Sequence, residues 1–161
     1  MITPKDLAGA FAHNLDTIKA QVKGLTHADS VLQLPFRGNC LNWVLGHIAV
    51  NRNQVLQALG QPPILSEAHV KRYGYGSEPV CADGDDILKL ETLMALLEQS
   101  QKTIEVALGR ITPQELAKEV KSFLGSTTLG YFLFFLYYHE TYHLGQTEIL
   151  RQLAGVNDKV I

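Results

Sequence analysis

The stretch Phe132–Gln146, which reads Phe-Leu-Phe-Phe-Leu-Tyr-Tyr-His-Glu-Thr-Tyr-His-Leu-Gly-Gln, most narrows what this chain can fold into. As a helix it is apolar nearly all round, and such a helix belongs inside other secondary structure. Two histidines in it, His139 and His143, stand four residues apart. At about 100° per residue they share one helix face, roughly 6 Å apart along the axis. That spacing lets two imidazoles bind one metal ion. Glu140 follows the first histidine, so the run reads H-E-x-x-H, as in zinc proteases. Three readings stand open here: a protease, another metal site, or two core histidines whose nitrogens are satisfied within the protein.

A helix of this kind needs partners, and the rest of the chain supplies them. The 161 residues suit one domain spanning 1–161, and 46% apolar content is enough for a packed core. Thr3-Pro4-Lys5-Asp6 is a helix start, with Thr3 as cap and Asp6 at the positive end. Leu7, Phe11, Leu15, Ile18 and Val22 then recur at helical spacing up to Gly24. Thr26–Asp29 suggests a short helical turn that Pro35 would stop, with His27 facing solvent. A second helix, capped by Asn39, runs about Leu41 to Leu59 and ends at Gly60 and Pro62-Pro63.

Residues 61–84, rich in Pro, Gly and Tyr, read as an irregular link that carries the chain across the molecule. Asp83–Asp86 opens the third helix, whose Ile87, Leu90, Met94, Leu97, Gln101, Ile104 and Leu108 form a bundle seam. Thr112-Pro113-Gln-Glu115 repeats the start pattern for a short turn, and residues 125–128 cap a fourth helix that reaches about Ala154. Gly24–Asp29 and Gly109–Glu115 echo each other weakly and suggest two helical hairpins. No convincing strand pattern interrupts this, so the expected fold is all-α, a four-helix bundle with a long crossover between helices two and three.

Composition removes several function classes. The net charge is −2 and no basic cluster exceeds Lys71-Arg72, so nucleic acid is not an expected partner. The longest apolar run, Leu129–Tyr138, is too short to span a bilayer. The N-terminus lacks a secretory apolar segment, and two cysteines, Cys40 and Cys81, suit a reducing cytoplasm; the expected location is cytoplasmic.

His47 shifts the balance between the three readings. It lies within the second helix among Trp43, Val44 and Ile48, where no neighbouring charge accounts for it. Three histidines on two buried helices can converge on one ion and leave positions open for water or substrate, the catalytic arrangement. His13, beside Asn14 on the polar side of helix one, and His69, in the irregular link, are weaker.

Asn42-Trp43-Val-Leu-Gly-His47-Ile and His139-x-x-x-His143-x-Gly145-Gln146, followed by Ile149-Leu-Arg151 and Gly155, resemble the two metal motifs of the DinB/YfiT-like metalloenzyme family. The resemblance extends along the chain in length, helix order and histidine placement. It implies a bundle of unusual left-handed topology, often a homodimer, with a divalent ion held by His47, His139 and His143. Nickel or zinc is expected first; iron and copper also suit histidine ligands, and manganese is the remaining alternative. Relatives with known activity are largely thiol-dependent transferases and isomerases, so a low-molecular-weight thiol is an expected cosubstrate beside a small-molecule substrate.

The resemblance demotes the protease, since no third histidine follows His143. Glu140 then becomes an orienting or packing residue before a general base. Asn51, Tyr142 and Gln146 lie within a turn of the histidines and are candidates to orient ligands or touch substrate, with plain packing an equal reading. A non-catalytic metal-binding or stress-response bundle remains the rival function.

Overall fold

The computed structural model describes residues 2–160. Four long helices dominate: α1 (Pro4–Val22), α3 (Leu41–Ala58), α5 (Leu90–Leu108) and α7 (Leu129–Leu153). Shorter helices lie between them: α2 (His27–Ser30), α4 (Glu67–Tyr73) and α6 (Pro113–Leu116). Strands β1 (Glu119–Ser122) and β2 (Gly125–Thr128) form one antiparallel hairpin before α7. The all-α bundle expected from the sequence is the fold observed, with the hairpin as an addition.

The helix starts follow local chemistry. Thr3 and Asp6 form a reciprocal capping box on α1, Thr26 and Asp29 another on α2, and Thr112 and Glu115 a third on α6. α3 departs from expectation: its cap is Cys40 without a side-chain bond, not Asn39. α5 starts later than the acids at 83–86 suggested. Asp83 instead pairs with Lys89 and His27, while Leu88 is bonded on both sides, its N–H to Tyr73 Oη at 2.7 Å and its carbonyl to Asn42 Nδ2 at 2.8 Å. These tertiary bonds hold the backbone through Leu88 outside the helix. His27 is accordingly not a solvent-facing residue: its Nδ1 accepts the Leu90 N–H at 3.2 Å, and its ring spans α2 and the start of α5.

Side-chain pairings give the topology. Phe11 meets Tyr137, Asn14 meets Thr141, and Arg151 donates to Gln21 O, so α1 and α7 run parallel. His47 meets His139 while Asn51 meets Leu136, so α3 and α7 run antiparallel. Asn42 reaches Leu88 and Arg52 reaches Leu97, so α3 and α5 run parallel. α1 and α3 lie on one diagonal and α5 and α7 on the other. The expected hairpin pairs are therefore not neighbours, because each short connection crosses a diagonal. The long link instead joins parallel neighbours, and its length is what returning along the bundle requires. It is not irregular throughout, since α4 lies within it.

The core has two apolar halves. One gathers Ile18, Val44, Ile48, Tyr73, Leu93 and Leu97; the other gathers Leu7, Phe11, Val55, Leu56, Ile104, Leu133 and Leu136. At the level between them every long helix contributes a buried polar residue: Asn14, Arg52, Ser100 with Gln101, and Glu140. Asn14, expected on a polar face, is thus interior, while His13 beside it is exposed.

Arg52 is fully buried and fully bonded. Its guanidinium makes a bidentate pair with Glu140, at 2.9 and 2.8 Å, and reaches Leu97 O, Ser100 Oγ, Gln101 Oε1 and Phe11 O. A buried charge is tolerable only when paired and bonded in this way. The layer fixes the height of α7 against α3, and so of His139 against His47.

Candidate metal centre

His47 comes from the middle of α3, and His139 and His143 from successive turns of α7. Among the described residues they form one cluster whose ligand nitrogens all lie within 4.8 Å of one another. His47 Nε2 and His139 Nε2 are 3.4 Å apart. Two nitrogens on a tetrahedral zinc at about 2.05 Å sit about 3.3 Å apart, so this pair is already spaced for an ion.

The outer nitrogens decide where the lone pairs point. His47 Nδ1 donates to Tyr73 O at 2.8 Å, which leaves Nε2 bare. His143 Nδ1 donates to Gln146 Oε1 at 2.9 Å, with the same result. Hydrogen bonds of this kind orient metal-ligating imidazoles. His139 Nδ1 is buried without a partner. The Trp43 indole stacks on His47, with centroids 4.7 Å apart and planes within 11°, and donates its N–H to Ser77 Oγ.

All three imidazoles favour the neutral form that a metal requires. Burial lowers the pKa of His139 to about 4, with His143 and His47 adding to the effect. Burial also lowers His47 and His143, each partly offset by its hydrogen bond, to Tyr73 O and to Gln146 respectively.

Tyr73, the last residue of α4, ties this arrangement to the long link. Its carbonyl holds His47, its hydroxyl donates to Asn42 Oδ1 at 3.0 Å, and its ring covers Gly46. A Cβ on Gly46 would lie 2.2 Å from that ring, so only glycine lets α4 approach α3 here. Composition alone gave α4 no visible pattern; Gly46 directly before His47 was the available signal.

The other candidates occupy distinct places. Asn51 is buried and donates through Nδ2 to Leu136 O at 3.0 Å. Gln146 is exposed and orients His143. Tyr142 is exposed, its ring perpendicular to that of His143 with centroids 5.2 Å apart. Glu140 is fully buried with both oxygens on Arg52, and is not in the ligand cluster. Arg52 escaped the sequence reading, although a lone charge on an otherwise apolar helix is a usable signal. His69 bonds Ser66 Oγ, and Cys40 is buried against Val80 O.

A cavity of about 470 Å³ adjoins the histidines between α3 and α7. Its lining includes His47, His139, Asn51 and Phe123 from the hairpin turn. The site thus gathers one buried and two half-buried imidazoles, of which His47 and His139 reach the end of a mostly apolar chamber.

A four-helix bundle of this topology with three histidines converging from two helices defines a class of helical protein with a metal-capable core site. The sequence pattern of the DinB superfamily matches residues 7–147, and the chain belongs to that superfamily. Its fold is similar to the crystal structure of a conserved protein from Enterococcus faecalis, with a TM-score of 0.72 at 16% identity, covering 96% of this chain and 98% of the other. No protein of curated function matches the sequence.

Proposed function

We propose that this chain is a metal-dependent enzyme of the thiol-transferase, isomerase or hydrolase type, with a divalent ion held by His47, His139 and His143. The observation that carries the reading is the pair of outer hydrogen bonds, Tyr73 O to His47 and Gln146 to His143, which turn bare nitrogens toward a shared centre beside a cavity. A divalent ion bound there would lower the pKa of a thiol or water near it. The chain's own part is to present three neutral imidazoles, hold them at fixed height through Arg52–Glu140, and exclude bulk water on the core side.

The rival, a non-catalytic metal-binding or stress-response bundle, calls for a closed shell. No fourth His, Cys, Asp or Glu joins the cluster among the described residues, which favours an open site. Nickel or zinc suits imidazole ligands, and availability selects between them. Both cysteines are free, in keeping with a cytoplasmic location, and no described helix is long and apolar enough to cross a membrane. The homodimer that the family resemblance implies has a suitable face in the exposed α7 stripe of Tyr131, Phe134, Tyr138, Tyr142 and Ile149.

The test is metal analysis of untagged protein, paired with transfer of a small thiol to electrophiles and hydrolysis of activated esters before and after chelation. Near-stoichiometric metal, with activity lost on chelation and in His143→Ala, is expected. Metal-free protein that takes up neither zinc nor nickel would sink the proposal.

A further inference from the structure

We infer that the chamber between α3 and α7 binds the uncharged, aromatic or branched-apolar body of the substrate, and that Phe123 of the hairpin turn sets its selectivity. This deepens the proposed function, and rests on it only for where the reacting end of that substrate lies.

Three features point the same way. The chamber, about 470 Å³, has the size of a small-molecule pocket, and among the described residues no Asp, Glu, Lys or Arg lines it. Besides the histidines and two amides, its walls are Val50, Phe135, Leu136, Phe123 and the exposed Tyr75. A charged or polyhydroxylated body would lose its hydration there without replacement, which is costly. A charged peptide-like or sugar-like thiol is therefore a poor occupant, and the chamber suits the acceptor molecule.

The polar groups are few and directional. Asn51 must turn its Nδ2 to the Leu136 carbonyl, so its Oδ1 is the end left for a ligand. That oxygen accepts only, and selects a ligand carrying an O–H or N–H. Gln54 offers the second amide.

Phe123 is built into this wall from outside the bundle. It sits in the two-residue turn between Ser122 and Gly125, and Gly125 at φ 85° lets the chain reverse there. Its ring meets Phe132 and Phe135 of α7 edge-on, at 5.6 and 5.8 Å, yet it is 64% exposed. A large aromatic that lies outside both buried clusters and closes one side of a chamber is placed for ligand contact. Its removal takes no residue from either buried cluster.

The experiment uses the full chain, before and after chelation. Trp43 is the only tryptophan and stacks on His47 at the chamber's end, so energy transfer from it to the neutral probe N-phenyl-1-naphthylamine reports occupancy. Binding is expected in both forms and should weaken roughly tenfold in Phe123→Ser, the scale of one lost aromatic contact. Ile2→Ser, in the wall of a separate apolar pocket, should leave it unchanged. Among displacers of similar size, 2-phenylethanol should outcompete phenylacetate and 2-phenylethylammonium. Failure of the probe to bind, indifference to Phe123→Ser, or displacement led by either charged compound overturns the inference. Because the chelated chain is read directly, failure to bind metal would count against the proposed function while leaving this result legible.

Discussion

His139 is held well below the ordinary proton affinity of an imidazole. Its pKa is lowered to about 4 by burial and by two neighbouring imidazoles, against 6.5 when free. The folded chain therefore binds this proton less readily than the unfolded chain. Its stabilising effect is complete above about pH 6.5 and is lost as pH falls toward 4, with His47 and His143 shifted in the same direction. The metal-free protein should lose urea resistance over that window, before the range near pH 2 where Asp83 titrates. His139→Phe should flatten the profile between pH 6.5 and 4; an unchanged profile would show that the ring is not held neutral. Gly46 acts at the same scale through shape. Gly46→Ala forces the Tyr73 ring away from α3, and overpacking of this kind costs about 1–3 kcal/mol. It should also weaken zinc binding by roughly 10–100-fold, because Tyr73 O orients His47. Urea unfolding checks the first effect and calorimetric titration with zinc the second, each against the wild type.

Among elements, the contact of α3 with α7 decides whether a site exists. Arg52–Glu140 and Asn51–Leu136 O fix the level at which the two helices meet, and His47 and His139 inherit that level. Arg52→Ala leaves Glu140 buried and unpaired, so a loss of about 3–5 kcal/mol is expected. Arg52→Met with Glu140→Leu removes both charges and should restore most of the stability measured by urea unfolding. If the polar layer sets register, that double variant should still bind zinc more weakly than the wild type. Full recovery of both properties would reduce the layer to a packing feature. The elements also separate what was legible locally from what was not. α1, α2 and α6 carry capping boxes that can be read in four residues. α4 and the four-residue strands are too short to show a period, and tertiary bonds to Tyr73 and Asn42 delay the start of α5 beyond its acids.

For the whole molecule, the outward face of α7 matters most. The sequence suggested a helix apolar all round and therefore enclosed, yet Tyr131, Phe134, Tyr138, Tyr142 and Ile149 stand exposed along one side. Large exposed apolar patches on soluble proteins mark contact surfaces. Sedimentation should give twice the chain mass for the wild type and the single-chain mass for Phe134→Asp with Tyr138→Asp. A monomeric wild type would remove the homodimer from the proposal.

The sequence by itself determined the class of fold and the identity of the three histidines, because helical periodicity, caps and i, i+4 spacing are local properties of the chain. It could not determine that consecutive long helices lie on diagonals, that Arg52 meets Glu140, or that Tyr73 grips His47. The last two pairings join residues 88 and 26 positions apart, and only packing of the whole bundle chooses among such partners. Whether the imidazoles remain free of protons is likewise a tertiary outcome, since the burial that lowers their pKa exists only once all four helices have closed around them.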